Sequence, residues 1–272
     1  MKILKSNLSR AEDPTQQGRN RDGAIKYVNS SADDLASELE EWILSVPTTG
    51  SGDNLTYLLP EDSDPNSDFE NSFLLALMIN GSFFSNQNVE SAFRSGVLAT
   101  QRDLLPQIEG LSTELQLGYN FDTVFQDRGY RQNLLAYQAS ARDSINGVAK
   151  ETVSRVSSII LLGMAAGAST ELLLARMRQQ MEIMKNKIKR ILVTTINQGL
   201  NLGKLIATDL AADALGYDGI VQHVSALIPT TRPHHAARHK KFYTVAAQSA
   251  WWSSGSNRIN CYCSIKPTLK RK

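Results

Sequence analysis

The chain has 272 residues, 42% of them hydrophobic and 7% aromatic, and a net charge of +2. That apolar content excludes wholesale disorder. Sparse aromatics among abundant Ala, Leu, Ser, Gln and Asn favour helices over a β-sandwich, and the length allows two modest domains or one large one. The near-neutral total conceals segregation: residues 31–70 carry eleven acids and no Lys or Arg, and residues 232–272 carry nine basic residues and no acid. Such ends suit partners of opposite charge, with solvated surface as the plain alternative.

In chain order, polar residues 1–22 form an expected flexible arm, and Ala24–Val28 is a short strand or a lead-in. Leu35, Leu39, Trp42 and Ile43 recur at helical spacing in an acidic helix beginning near Asp33. Pro47, Gly50 and Gly52 end it, and residues 46–68 form a loop that Tyr57, Leu58 and Leu59 can pin. Phe69–Ile79 is an expected helix closed by Asn80-Gly81, and Val89–Leu105 another, stopped near Pro106. No apolar run reaches the length of a membrane span, the longest being Ile159–Ala168, and Met1–Gly50 lacks the apolar core of a secretory leader. A soluble protein made in the cytoplasm is expected, with no membrane partner.

From about Phe121 a long helical stretch carries Leu134, Leu135, Tyr137, Ile145, Val148, Val153 and Val156, until Gly163 and Gly167 break it. Ser169 or Thr170 then caps the next helix, with Glu171 at its positive end. Its stripe of Leu173, Met177, Met181, Met184, Ile188, Ile191 and Thr195 fits an intramolecular core face better than a coiled coil between chains. Arg176, Arg178, Lys185, Lys187, Lys189 and Arg190 make a solvated basic face. A last helix covers about 201–215 and ends on Gly216. Strands are expected at Ile220–Leu227, Lys241–Val245 and near Ile259–Ile265. The expected fold is mainly α, a helical body with a small C-terminal α+β unit. Its segments are an arm (1–22), an N-terminal helical region (23–120), a long-helix body (121–216) and the C-terminal unit with its basic tail (217–272).

The chemistry concentrates between Thr231 and Pro267. Cys261 and Cys263 lie too close in sequence to staple a fold as a disulfide. His235 and His239 face one way on a helical turn, and Cys261 and Cys263 face one way on a strand. Together they make a sensible zinc set. The other reading is a pair of reduced cysteines and histidines bonded to backbone carbonyls. Trp251-Trp252 either stacks on bases or anchors a small domain. Lys266, Lys270, Arg271 and Lys272 either touch DNA phosphates or form a frayed tail.

Thr231-Arg232-Pro233-His234-His235-Ala236-Ala237, followed by Asn260-Cys261-Tyr262-Cys263 and Pro267, resembles the signature of phage Mu F-like minor head proteins. Arg232, Pro233 and His235 fall on that family's first motif, and Asn260, Cys261 and Cys263 on its second. Tyr262 stands where the family has Arg, and Ile228-Pro229-Thr230 replaces its charged lead-in. The likeness covers about 121–269. It implies a head-morphogenesis protein present in few copies in the virion. Such a protein contacts the portal or the major capsid protein and acts in head assembly and DNA packaging or delivery. A zinc-containing nucleic-acid-binding module is the alternative. A hydrolase pairing either cysteine with His235 is weaker, because no acid follows Asp218 to orient the base. A zinc deaminase is excluded by the lack of a Glu beside His235. The chain is therefore not expected to be an enzyme.

Overall fold

The computed structural model describes residues 17–51, 55–58, 65–109 and 119–272, with side chains described throughout these except at 17–20 and 65–86. The protein is mainly helical, with a small antiparallel sheet near the C-terminus. Helix α1 spans Gln17–Ser45, strands β1 (Thr48–Thr49) and β2 (Thr56–Tyr57) form a small ladder, and α2 spans Pro65–Glu109. A 3-10 turn at Phe121–Gln126 leads into α3 (Arg128–Ala165), and α4 runs from Thr170 to Leu215. Then come β3 (Tyr217–Val224), α5 (Pro233–Ala236), β4 (Phe242–Thr244), α6 (Val245–Ser253) and β5 (Ser264–Arg271).

Several local expectations change. Ala24–Val28 is helical, and α1 begins well before Asp33. Of the expected arm, 17–22 is helix and 1–16 lies outside the described residues. Asn80-Gly81 does not separate two helices, and Pro106 sits inside α2, which ends at Glu109. A proline there costs one amide donor but does not compel the helix to stop at once. Likewise α4 is one helix of 46 residues, not two. Gly167 closes α3, whereas Gly163 lies inside it and does not break it. Gly167 adopts φ 69°, and Gly216 ends α4 at φ 71°, a left-handed conformation in which a side chain would be strained. Ser169 Oγ accepts the amide of Leu172, capping α4 as its sequence implies.

The chain divides into two compact units that interleave in sequence. One comprises Gly23–Phe84 and Arg142–Arg190, the other Met1–Asp22, Ser85–Ala141 and Ile191–Lys272. Residues 217–272 therefore share a unit with stretches of the N-terminal region and of the long-helix body.

In the Gly23–Phe84 and Arg142–Arg190 unit, Leu173, Met177, Met181, Met184 and Ile188 are all buried, so the stripe of α4 is an intramolecular core face. Tyr57 Oη donates to the Ala168 carbonyl oxygen at 2.9 Å, tying the β1–β2 loop to the α3–α4 turn. The basic face of α4 is not merely solvated. Arg178 makes a two-pronged ion pair with Glu40 (2.6 and 2.8 Å), Lys185 pairs with Asp33, and Lys187 pairs with Glu151 at 2.6 Å. Part of the acidic segment thus neutralises the chain's own basic helix.

In the other unit, Val89, Phe93 and Val97 of α2 pack with Val124, Tyr130, Ala141 and Ala207. Leu104 and Ile108 meet Phe121, Ala211 and Leu215 further along. The sheet has the order β4-β3-β5, all antiparallel. Its buried face carries Val221, His223, Ile265 and Pro267, because β3 and β5 pair Val221 with Pro267 and His223 with Ile265. Val221 and Ile265 join Leu205 of α4 and Trp252 of α6 in one cluster. Trp252 is accordingly a core anchor, not a base-stacking surface.

Candidate metal site and the motif residues

The segment that carries both cysteines lies along α4, held by polar side chains at helical spacing. Asn197 Nδ2 donates to the Cys261 carbonyl oxygen (3.0 Å) and Asn201 Nδ2 to that of Cys263 (2.9 Å). One turn on, Lys204 Nζ donates to the Ile265 carbonyl oxygen and to Ser264 Oγ, each at 2.9 Å. One turn back, Thr194 Oγ1 accepts the amide of Asn260 at 2.8 Å. Positions 194, 197, 201 and 204 share one face of a helix. Thr194, Asn197 and Asn201 satisfy the backbone of 260–263 as a neighbouring strand would, before the chain joins β3 as β5 at Ser264. Asn260 itself has φ 50°, a left-handed conformation that Asn tolerates better than other side chains. It turns the chain from the 254–259 loop into the Cys-x-Cys run.

Arg232 and Pro233 position the histidine. Arg232 has extended backbone angles, and Pro233 opens the short α5, where its missing amide proton costs nothing. The guanidinium of Arg232 reaches across to the second motif, donating to the carbonyl oxygens of Ser256 (2.6 Å) and Ile259 (2.7 Å). That clamps the loop preceding Asn260. His235, 2% exposed, then projects from α5 between the cysteines, its Nδ1 lying 3.4 Å from Sγ of Cys261 and 3.4 Å from Sγ of Cys263.

A second histidine enters from β3. His223 is fully buried, and the ligand atoms of His223, His235 and Cys263 lie within 4.8 Å of one another. This buried group can hold a metal ion. His239, expected in that role, does not join it: its Nδ1 accepts the Ser225 amide at 3.1 Å. His223 was the one histidine outside the dense 231–267 segment. Alternation along Val221, His223 and Ser225 was the available signal, since all three point to the sheet's buried face.

Burial shapes the charges here. It pulls His235 below the usual imidazole range, partly offset by Cys263, so the ring is neutral near pH 7. Of the two thiols, Cys263 is the one that ionises. The Cys261 thiol, then the burial-opposing contacts from His223, His235 and Ser225, favour its thiolate, while Cys261 is pushed up by that negative neighbour and by burial. Around the group, Trp251 packs edge-on against both His223 and His235. Arg238 lies over the rings of Tyr243 and Trp251 and donates to Gln248 Oε1 at 3.0 Å. Gln248 Nε2 faces His223 Nδ1 at 3.2 Å.

No family model, curated protein or solved structure matches this chain.

All six residues of the two motifs, Arg232, Pro233, His235, Asn260, Cys261 and Cys263, thus meet around one site. The basic residues near the C-terminus do not. Lys266, Lys270 and Arg271 lie exposed on β5, which pairs with β3 as far as Arg271, so the expected untethered tail is a strand. Lys272 follows it, also exposed. Among the described residues, no helix is long and apolar enough to cross a membrane.

Proposed function

We propose that this chain is a minor head-morphogenesis protein of a tailed phage, of the Mu F-like type, acting in assembly and not as an enzyme. The observation that carries this reading is the meeting of its two sequence motifs. Arg232 of the first bonds the loop before the second, and His235 of the first touches both cysteines of the second. Residues separated by more than twenty positions, whose two runs resemble one family's signature, come together in space. The ion proposed for the His and Cys group is zinc, in a structural role. Few copies would sit in the head against the portal or the major capsid protein. The direct test is quantitative mass spectrometry of purified virions from the source that encodes the chain. Peptides at a small fraction of the major capsid signal support the reading, and clean absence from virions removes it.

A second reading is a nucleic-acid-binding module, favoured by β5, which presents Lys266, Lys270 and Arg271 to solvent in a stretch with no acid after Asp218. In a head protein the same residues would meet packaged DNA through its phosphates. Binding to duplex DNA that weakens steeply with added salt, and less steeply when these three are neutralised, would favour it. Binding that ignores salt would remove it.

A further inference from the structure

We infer that His223, His235, Cys261 and Cys263 form a closed, four-coordinate zinc centre, with His223 as a ligand and His239 excluded. This deepens the structural-zinc part of the reading above and does not depend on where in the virion the protein acts.

Three of the four donors are already gathered, since the ligand atoms of His223, His235 and Cys263 lie within 4.8 Å of one another. The fourth, Cys261, adjoins them: its Sγ is 3.4 Å from His235 Nδ1 and accepts the Cys263 amide at 3.4 Å. A tetrahedral ion with bonds of about 2.0 Å to nitrogen and about 2.3 Å to sulfur separates N and S by about 3.5 Å. Both sulfurs stand at close to that separation from one ring nitrogen. Hydrogen bonding alone accounts poorly for this, because a single imidazole nitrogen has one lone pair or one proton to share, not two.

Charge and softness agree. Two neutral imidazoles and two thiolates balance a divalent cation, as a buried site requires. No carboxylate occurs anywhere in residues 219–272, so the set offers nothing to calcium or magnesium and suits zinc. His223, His235, Cys261 and Cys263 are 0%, 2%, 3% and 4% exposed, leaving no open coordination position for water or substrate. That distinguishes a structural ion from a catalytic one. The backbone is prepared as well, with Asn197 and Asn201 fixing the carbonyls of both cysteines. Nε2 of His223 is buried without a hydrogen-bond partner, so that ring has a nitrogen that no hydrogen bond of the protein uses.

Cys261 lies outside that 4.8 Å group, so its Sγ must draw in toward His223, and the Gln248 side chain must turn. Ligation of His223 through Nε2 places its proton on Nδ1, where Gln248 now presents Nε2. Rotating the Gln248 carboxamide by half a turn offers the carbonyl oxygen instead, the second partner that zinc-bound histidines usually have. Arg238 loses one hydrogen bond by this, but the rings of Tyr243 and Trp251 still hold it.

The test uses the full-length chain, reduced and stripped of metal, then titrated with Co2+ as a spectroscopic probe and with Zn2+. The expected result is one ion per chain, with intense tetrahedral visible bands and charge-transfer absorption for two thiolates. Long-range proton–nitrogen NMR of the unaltered protein should show a ring nitrogen of His223 and one of His235 shifting on Zn2+ addition, with His239 unmoved. His239→Ala should keep full stoichiometry, and Cys261→Ser should leave absorption for one thiolate. No uptake at one equivalent, octahedral weak bands, or a shift at His239 in place of His223 would each overturn the assignment. Because these readouts come from the isolated protein, they stand or fall separately from the virion measurement.

Discussion

Gly96 of α2 and Gly203 of α4 meet Cα to backbone where the two helices cross. A Cβ on Gly203 would lie 2.2 Å from the Phe93 carbonyl oxygen, and one on Gly96 would lie 2.2 Å from that of Leu200. Only glycine lets the backbones approach this closely. In an open helix, Gly→Ala stabilises by up to about 1 kcal/mol. Here the sign reverses, because the obstruction is backbone and cannot rotate away. Gly203→Ala should destabilise by about 1–3 kcal/mol, in the range of overpacked cores. Gly147→Ala on α3, with nothing within 4 Å of the added carbon, is the matched control and should stabilise. Chemical denaturation of both variants decides this, and equal midpoints would show the crossing to be looser than described.

Asn201 tests the polar ladder that holds the cysteine segment. Asn201→Ala removes the donor to the Cys263 carbonyl oxygen and leaves a buried acceptor unsatisfied, which costs about 1–3 kcal/mol. Amide hydrogen exchange should accelerate at residues 261–265. Unchanged exchange there would mean that β5 alone keeps the segment in place.

Asn260 has a backbone reason for being Asn. At φ 50°, Asn260→Gly should be tolerated, whereas Asn260→Val should cost about 1–2 kcal/mol. The comparison isolates conformation from chemistry, since both variants lose the amide side chain. Equal loss in the two would point instead to a contact made by that side chain.

The Arg178–Glu40 pair predicts a pH effect with a definite sign. The hydrogen bond and charge of Arg178 hold the Glu40 carboxyl below its usual value of 4.5. A depressed folded-state value contributes stability that is complete above the unfolded value of about 4.3–4.5 and is lost as pH falls through the folded one. Melting of wild type and Glu40→Gln should therefore differ slightly at pH 7 and converge in acid. The pair is solvent-facing, so high salt should also shrink the difference. A gap that widens in acid contradicts the pairing.

Arg232 is the clamp between the two motifs, and Arg232→Lys is the informative change. Lysine keeps the charge but presents a compact ammonium, not the planar fork that spans two carbonyl oxygens. Proteolytic cleavage within 254–260 should rise in Arg232→Lys nearly as much as in Arg232→Ala. Full protection by lysine would show that charge, not geometry, holds the loop.

Much of the helical framework was readable along the chain. The stripe from Leu173 to Ile188 recurs with the helical period because those residues share one buried face, and Gly216 marks the end of α4 through its own backbone angles. The Arg232–His235 and Asn260–Cys263 runs stood out because His and Cys are rare and cluster. These signals are local: period, capping and composition act within a few residues. What tertiary structure alone decided depends on meetings between distant segments. Asn80-Gly81 lies within a continuous helix, where helix propagation outweighs the cost of one glycine. Gly203 is used for a helix crossing that no local pattern announces. Lys185 and Arg178 find Asp33 and Glu40 more than a hundred residues away. His223 takes the place expected of His239 because β3 pairs with β5 in a register that sets it beside the cysteines, while His239 is drawn to the Ser225 amide. Spacing within one segment shows which side chains share a face, but only the packing of β3, α5 and β5 on α4 determines which faces meet.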